Sequence, residues 1–260
     1  SPACDVDGII KGFERREGFP LEPEQRAAIH LAADHHFAVI TGGAGCGKTT
    51  VLKAICEVLE AQHYKVIQVA LAGKAVKRMM ESTDRKAFTV ASFMKALKDE
   101  VATEDLNTPR PSAVLIDEAS MIDLISFGAL AKSLRDEVKI IMVGDPHQLP
   151  PVGPGLVLHA LPGTPGIPHV ELKAPRRFDS KIAEFANSIK SGVLPLNDDK
   201  PSIEWIESSD AELAPRAASL LLEAQDDAIV LTTTRELARS INQIVQERMT
   251  KGKRELMLWN

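Results

Sequence analysis

Residues Gly42-Gly43-Ala44-Gly45-Cys46-Gly47-Lys48-Thr49 fit the pattern G-x-x-x-x-G-K-[ST] at every fixed position. The apolar run Phe37-Ala38-Val39-Ile40 precedes it, and Val51, Leu52, Ile55, Val58 and Leu59 follow at helical spacing. Strand, glycine-rich turn and helix in that order constrain the fold more than any other stretch. The turn works only where backbone N–H groups face inward at a helix N-terminus, and there it cradles phosphate oxygens. Lys48 then neutralises the β- and γ-phosphates, and Thr49 offers a hydroxyl to Mg²⁺. The expected ligand is ATP, held by Gly42, Gly43, Ala44, Gly45, Cys46, Gly47, Lys48, Thr49 and Thr50. Cys46 reads as a small space-filling residue of the loop rather than a reactive thiol.

Three more unalternated β-type runs follow: Lys65 to Ala70, Ala113 to Ile116 and Lys139 to Val143. Strands apolar on both faces, alternating with helical stretches, imply an α/β fold with a parallel sheet flanked by helices. Residues 1–20 read as a polar N-terminal segment and 21–195 as one α/β domain. Residues 196–260 read as a linker and the incomplete start of a second such domain, with a helix over about 210–224, a strand Ala228 to Thr232 and a helix from 234 to 248. The stretch Leu161 to Pro168 reads as a loop, 180–191 as a helix, and Asp99 to Asp105 as an acidic solvated loop. The chain has 260 residues, 44% of them hydrophobic, with 16 Gly and 16 Pro scattered rather than periodic, which excludes collagen-like and disordered classes. No run is long enough to span a membrane. Three cysteines, Cys4, Cys46 and Cys56, form neither a disulfide framework nor a zinc site, so a reducing, cytoplasmic setting is expected. A net charge of −5 argues against a basic face that coats duplex, yet permits a narrow binding channel. Opening on Ser1-Pro2 and closing on Leu258-Trp259-Asn260, the chain reads as a piece of a longer protein.

Val114-Leu115-Ile116-Asp117-Glu118 places two acids at a strand end. Asp117 is the expected Mg²⁺ carboxylate, and Glu118 the base that orients and deprotonates an attacking water. A lone Asp would hold metal without activating a nucleophile, so the pair predicts a hydrolase.

After the strand at 139–143 comes Gly144-Asp145-Pro146-His147-Gln148-Leu149-Pro150-Pro151-Val152. This run resembles the third helicase motif of superfamily 1, G-D-x-x-Q-L-P-P-V. The resemblance implies that Gln148 contacts the γ-phosphate and links nucleotide state to a DNA channel. A neutral amide suits such a sensor, because one hydrogen bond is gained with ATP and lost after hydrolysis. Leu21 to Gln25 resembles the adenine-reading segment, and the Gln25 amide can pair with N6 and N7 of adenine. Ala70 to Met79 resembles motif Ia and Thr89 to Ser92 motif Ib, which in relatives touch single-stranded backbone. Lys74, Thr89 and Ser92 are therefore the expected DNA contacts, with Ala91 standing where the family often has His. Leu172 to Phe178 resembles the L-T-E-x-x-R-Q segment and assigns Arg177 to the γ-phosphate, Arg176 being the alternate. Lys173, Ala174, Pro175 and Phe178 depart from that pattern.

From about 20 to 250 the chain thus resembles the RecD-like helicases of superfamily 1B, which implies RecA-like motor domains, ATP and Mg²⁺ as cofactors, and 5′-to-3′ translocation on single-stranded DNA. It also implies a nuclease or relaxase domain or subunit in the parent protein, and association with the nucleoid when bound to DNA. The alternatives are a non-motor ATP- and DNA-binding regulatory or scaffold module, and an RNA helicase of the same superfamily. The family's late S-R-A-[RK] segment does not occur in these 260 residues. Its arginine finger is worth ~10³–10⁵ in rate, so this chain is expected to bind ATP and turn it over slowly. Residues 93–116 leave little room for the strand-separating hairpin of relatives.

Overall fold

The computed structural model of the chain describes residues 4–98, 111–173, 181–193, 204, 206–224 and 228–250. The chain divides into two compact units, Ser1–Gly192 and Val193–Asn260. In the first, six strands form one sheet: β1 (Phe37–Gly42), β2 (Lys65–Ala70), β3 (Ala87–Thr89), β4 (Ser112–Asp117), β5 (Lys139–Gly144) and β6 (His169–Leu172). Their order is β3-β2-β4-β5-β1-β6 and every pairing is parallel. Parallel neighbours need crossover connections, which the helices supply. These are α1 (Val6–Glu17), α2 (Pro23–Asp34), α3 (Lys48–Ala61), α4 (Gly73–Thr83), α5 (Val90–Lys98), α6 (Leu124–Ser133), α7 (Val157–Ala160) and α8 (Lys181–Lys190).

Alternation along each strand sends side chains to two separate cores. Ala113 and Leu115 of β4 join Ala38 and Ile40 of β1 beneath α1, α2 and α3. Val114 and Ile116 join Val39, Met142, Phe93 of α5 and Leu130 of α6 on the opposite face. The α/β parallel sheet expected from the unalternated runs is present, with two strands more than the four expected. Strands β3 and β6 have only three and four residues, too few for a periodic signal. The N-terminal segment, read as polar, forms α1. Its Ile10 and Phe13 are 0% and 1% exposed in the same core as α3, and Glu14 ties it to α2 by accepting from Leu21 N at 2.7 Å and Arg26 Nη2 at 2.6 Å.

The second unit contributes α9 (Asp210–Glu223) and α10 (Arg235–Thr250), joined through Ala218, Ile241 and an Arg248–Ser219 hydrogen bond of 2.7 Å. The strand expected at Ala228 to Thr232 is not formed. Ile229 and Leu231 are 81% and 85% exposed, and the unit offers no partner strand among its described residues. The acidic stretch Asp99 to Asp105 lies outside the described residues.

One buried cation organises the packing at the amino ends of the strands. Lys139, at the start of β5, is 3% exposed, and its Nζ donates to the carbonyls of Ala32 (3.2 Å), Ala33 (2.6 Å) and His35 (3.1 Å). These are last-turn acceptors of α2, which lack partners within the helix. The ammonium also lies 5.0 Å from the Tyr64 ring centroid. Replacing Lys139 with Met keeps the stem and strands the carbonyls. The expected loss is ~2–3 kcal/mol, read as a lower urea midpoint at unchanged m-value.

Candidate nucleotide site

Apart from Leu21 to Gln25, which leads into α2, the motif segments of the first unit leave the carboxyl ends of the parallel strands, the edge where α/β sheets bind ligands. The phosphate loop joins β1 to α3. Its first glycine is the last residue of β1, and a β-carbon on Gly42 would stand 2.5 Å from Cys46 Sγ and 2.9 Å from Leu172 Cβ. Its last glycine, Gly47, caps α3 at φ 81°. That left-handed backbone favours glycine, and an added methyl would strike the Gln25 amide. No side chain caps α3, so its first-turn N–H groups are left for an anion. Lys48 Nζ donates to the carbonyls of Gly42 and Gly43, both at 2.8 Å, across the loop mouth. Cys46 is fully buried, its Sγ donating to Gly43 O at 3.0 Å, and burial pushes its thiol pKa up. Both facts fit the space-filling reading.

A cleft of about 680 Å³ opens beside the loop, lined among others by Gly45, Lys48, Thr49, Asp117, Glu118 and Gln148. Asp117 ends β4, and β5 separates that strand from β1. At ~4.8 Å per strand the acids therefore stand ~10 Å from the loop strand, which leaves room for a terminal phosphate and a water. Burial is the main cause that lifts the Asp117 pKa to about 6, with the Glu118 charge adding to it. The Glu118 N–H, which donates to Asp117 Oδ1 at 2.9 Å, and the charges of Lys48 and Arg78 oppose the rise. Glu118 itself adopts φ 51°, a strained conformation for a non-glycine residue. Its Oε2 is buried without a hydrogen-bond partner, an acceptor suited to a water proton.

Could these residues hold Mg²⁺? No cluster of three or more His, Cys, Asp or Glu occurs among the described residues. A hard cation bound by one carboxylate, a hydroxyl, waters and substrate phosphates needs no such cluster. Asp117 with the Thr49 hydroxyl fits that donor set.

Two sequence expectations change character. Gln25 is only 9% exposed, its Nε2 donating to Cys46 O at 3.0 Å while its Oε1 accepts from Glu22 N at 3.0 Å. Both ends of the amide already serve the loop and the start of α2, so its first role is a brace beneath the loop. Thr89 and Ser92 form the N-terminal cap of α5. The Thr89 hydroxyl donates to Ser92 Oγ at 2.8 Å, Ser92 Oγ donates to Thr89 O at 2.9 Å, and Ser92 N donates to Thr89 Oγ1 at 3.0 Å. Their protons are thus engaged within the cap, whereas a phosphate oxygen needs a donor. Lys74 is exposed at the first turn of α4. Thr50 lies on α3 behind Thr49, and Arg177 with its alternate Arg176 lies outside the described residues.

Comparison with known proteins now bears on this geometry. Residues 20–209 match the model of the family described as the AAA domain. The chain belongs to the AAA-domain family. It is 31% identical over 182 residues to the ATP-dependent RecD2 DNA helicase of Deinococcus radiodurans, an overlap covering 69% of this chain and 25% of that protein. It is 27% identical over 239 residues to the RecBCD enzyme subunit RecD of Mycolicibacterium smegmatis, covering 79% and 43%. With the conjugal transfer protein TraA of Rhizobium radiobacter it shares 35% identity over 168 residues, covering 64% and 14%. The chain thus spans less than half the length of each of these relatives. The fold is like that of the Pif1 helicase from Candida albicans, with a TM-score of 0.53 at 20% identity, covering 85% of this chain and 61% of that one. The RecD-like superfamily 1 resemblance read from the motifs agrees with these matches.

Within this AAA-domain chain, one cleft residue escaped the sequence reading. Arg78 of α4 lines the cleft and bears on Asp117, although its motif was read only for DNA contact. Standing one turn after Lys74, it shares that exposed face of α4, so spacing alone gives no sign that it meets the cleft.

Two measurements follow from the site. Because the folded-state pKa of Asp117 is raised above its unfolded value of 3.8, its charge is unfavourable to the fold. Stability is lost as pH rises from about 4 to about 6, and Asp117→Asn should stabilise the chain at pH 7.5 by up to ~2–3 kcal/mol. At pH 4 the melting temperatures should nearly coincide. For Gln25→Ala, loss of a brace lowers ATP and GTP affinity alike, whereas loss of adenine reading lowers ATP affinity alone. Parallel titrations are expected to give the first pattern.

Proposed function

We propose that the chain is the ATP-binding core of a DNA helicase motor, in which ATP hydrolysis is coupled to movement on single-stranded DNA. The observation that carries this reading is the meeting of Lys48, Thr49, Asp117, Glu118 and Gln148 at one cleft. Nothing less than a triphosphate site needs a phosphate lysine, a metal carboxylate, a base and an amide sensor together.

The chemistry follows from the side chains. Lys48 exchanges the Gly42 and Gly43 carbonyls for the β- and γ-phosphates of ATP. Asp117 and the Thr49 hydroxyl would hold Mg²⁺, which when bound neutralises phosphate charge. Glu118 takes the proton of the attacking water at its unpartnered oxygen, and the α3 N–H groups stabilise the growing charge on phosphate. Gln148 is exposed in the turn directly after β5, where its amide can gain a bond to the γ-phosphate and lose it on release. Lys74 would meet the strand's phosphates, which makes DNA affinity fall with salt. The 5′-to-3′ direction, action in the cytoplasm or on the nucleoid, and a relaxase or nuclease partner in a larger protein rest on the RecD-like resemblance. The names of the relatives, RecD2 DNA helicase, RecBCD enzyme subunit and conjugal transfer protein, support a role in DNA processing.

ATP binding and steady-state turnover by the 260-residue chain, with and without a single-stranded DNA oligonucleotide, test the reading against Lys48→Ala. Saturable binding that weakens at least about tenfold in the variant is expected, since a hydrogen bond to a charged group contributes ~1.5–3 kcal/mol. DNA-stimulated turnover would establish a motor. Tight binding with slow, DNA-insensitive turnover would fit a motor core that lacks its arginine finger and would leave the regulatory module standing, and absence of ATP binding would sink both.

A further inference from the structure

Three charged groups converge on a single glycine of the phosphate loop. Lys48 Nζ donates to Gly43 O at 2.8 Å. From the point where a β-carbon on Gly43 would stand, Lys190 Nζ is 3.9 Å away and Asp145 Oδ2 is 4.0 Å away. Asp145 follows β5 and is 6% exposed. Its Oδ1 accepts from His147 N at 2.9 Å and its carbonyl accepts from Gln148 N at 3.1 Å, so it builds the turn that presents Gln148. Lys190 is the last residue of α8 and is exposed, its ammonium reaching the loop on a flexible stem.

A buried carboxylate beside a phosphate loop is unfavourable twice over. It loses hydration, and it repels the polyanion the loop is built to hold, unless a cation stands with it. Lys48 is committed to the loop carbonyls and then to phosphate. Lys190 is the other described cation at Gly43. Because Lys48 marks the β/γ end of the loop, Gly43 lies at that same end.

We propose that Lys190 is an additional cationic ligand of the terminal phosphates, steered to Gly43 by the Asp145 carboxylate. This rests on the nucleotide site proposed above and deepens it. ADP lacks the γ-phosphate, so Lys190 contributes mainly to ATP affinity. Since Asp145 also shapes the Gln148 turn, movement of Lys190 onto phosphate changes the charge beside the sensor, and α8 follows the phosphate through its own terminal residue.

Fluorescent ATP and ADP analogues titrated with Mg²⁺ into the 260-residue chain test this, using Lys190→Ala, Lys190→Arg and Lys48→Ala. Lys190→Ala should weaken the ATP analogue about tenfold and the ADP analogue by less than about threefold, as expected for one charge-assisted contact. Lys190→Arg should keep most of the affinity, added salt should narrow the gap, and thermal unfolding of Lys190→Ala should match the parent. If Lys48→Ala loses affinity while Lys190→Ala does not, or loses ATP and ADP equally, the role of Lys190 is overturned and the nucleotide site stands. If the parent chain binds neither analogue, both readings fall.

Discussion

A chain that turns a run of backbone amides inward must hold the outside of that turn with something else. In this protein the outer support is dense and specific. Gly42 is packed so closely against Cys46 and Leu172 that no β-carbon fits, and Gln25 holds Cys46 O from below. Edge strand β6 exists to supply part of that support, since its last residue is the one pressed on Gly42. The hydrophobic core beneath α1, α2 and α3 is continuous with the same contact through Cys46 and Leu172. Fold stability and loop geometry are therefore one problem rather than two.

The acidic side of the site works by the opposite logic. There the fold tolerates unfavourable states: a carboxylate lifted to about 6 by burial, a left-handed Glu118 and an unpartnered buried oxygen. Each is costly for an unliganded protein, and such strain gathers where a ligand or transition state relieves it. The single strand between β1 and β4 sets the gap across which that relief operates.

What could be read in the sequence was whatever is encoded locally. The loop pattern, the Asp117-Glu118 strand end and the parallel sheet all follow from spacing and apolar runs within a few residues. Strand β6 was hidden because His169-Val170-Glu171-Leu172 is short and lies on the sheet edge, and its identity depends on pairing with β1. Helix α1 was hidden because the charged residues around Ile10 and Phe13 mask two fully buried side chains. Lys139 and Lys190 looked like ordinary lysines. The carbonyls that Lys139 serves and the loop glycine beside Lys190 lie more than a hundred residues away in the chain, beyond the reach of any periodicity. The hydroxyls of Thr89 and Ser92 were matched to a motif, yet a motif does not reveal that their protons are already used in a helix cap.

Helix α2 is fastened at both ends, by Gln25 under the phosphate loop and by Lys139 at the last-turn carbonyls. At 1.5 Å per residue its twelve residues span ~18 Å. It behaves as a strut between the root of β5 and the floor of the loop, while the far end of the same strand carries Asp145 and the turn to Gln148. Strand and strut close a mechanical ring, so a displacement of Gln148 has a rigid route back to the loop that does not pass through the nucleotide.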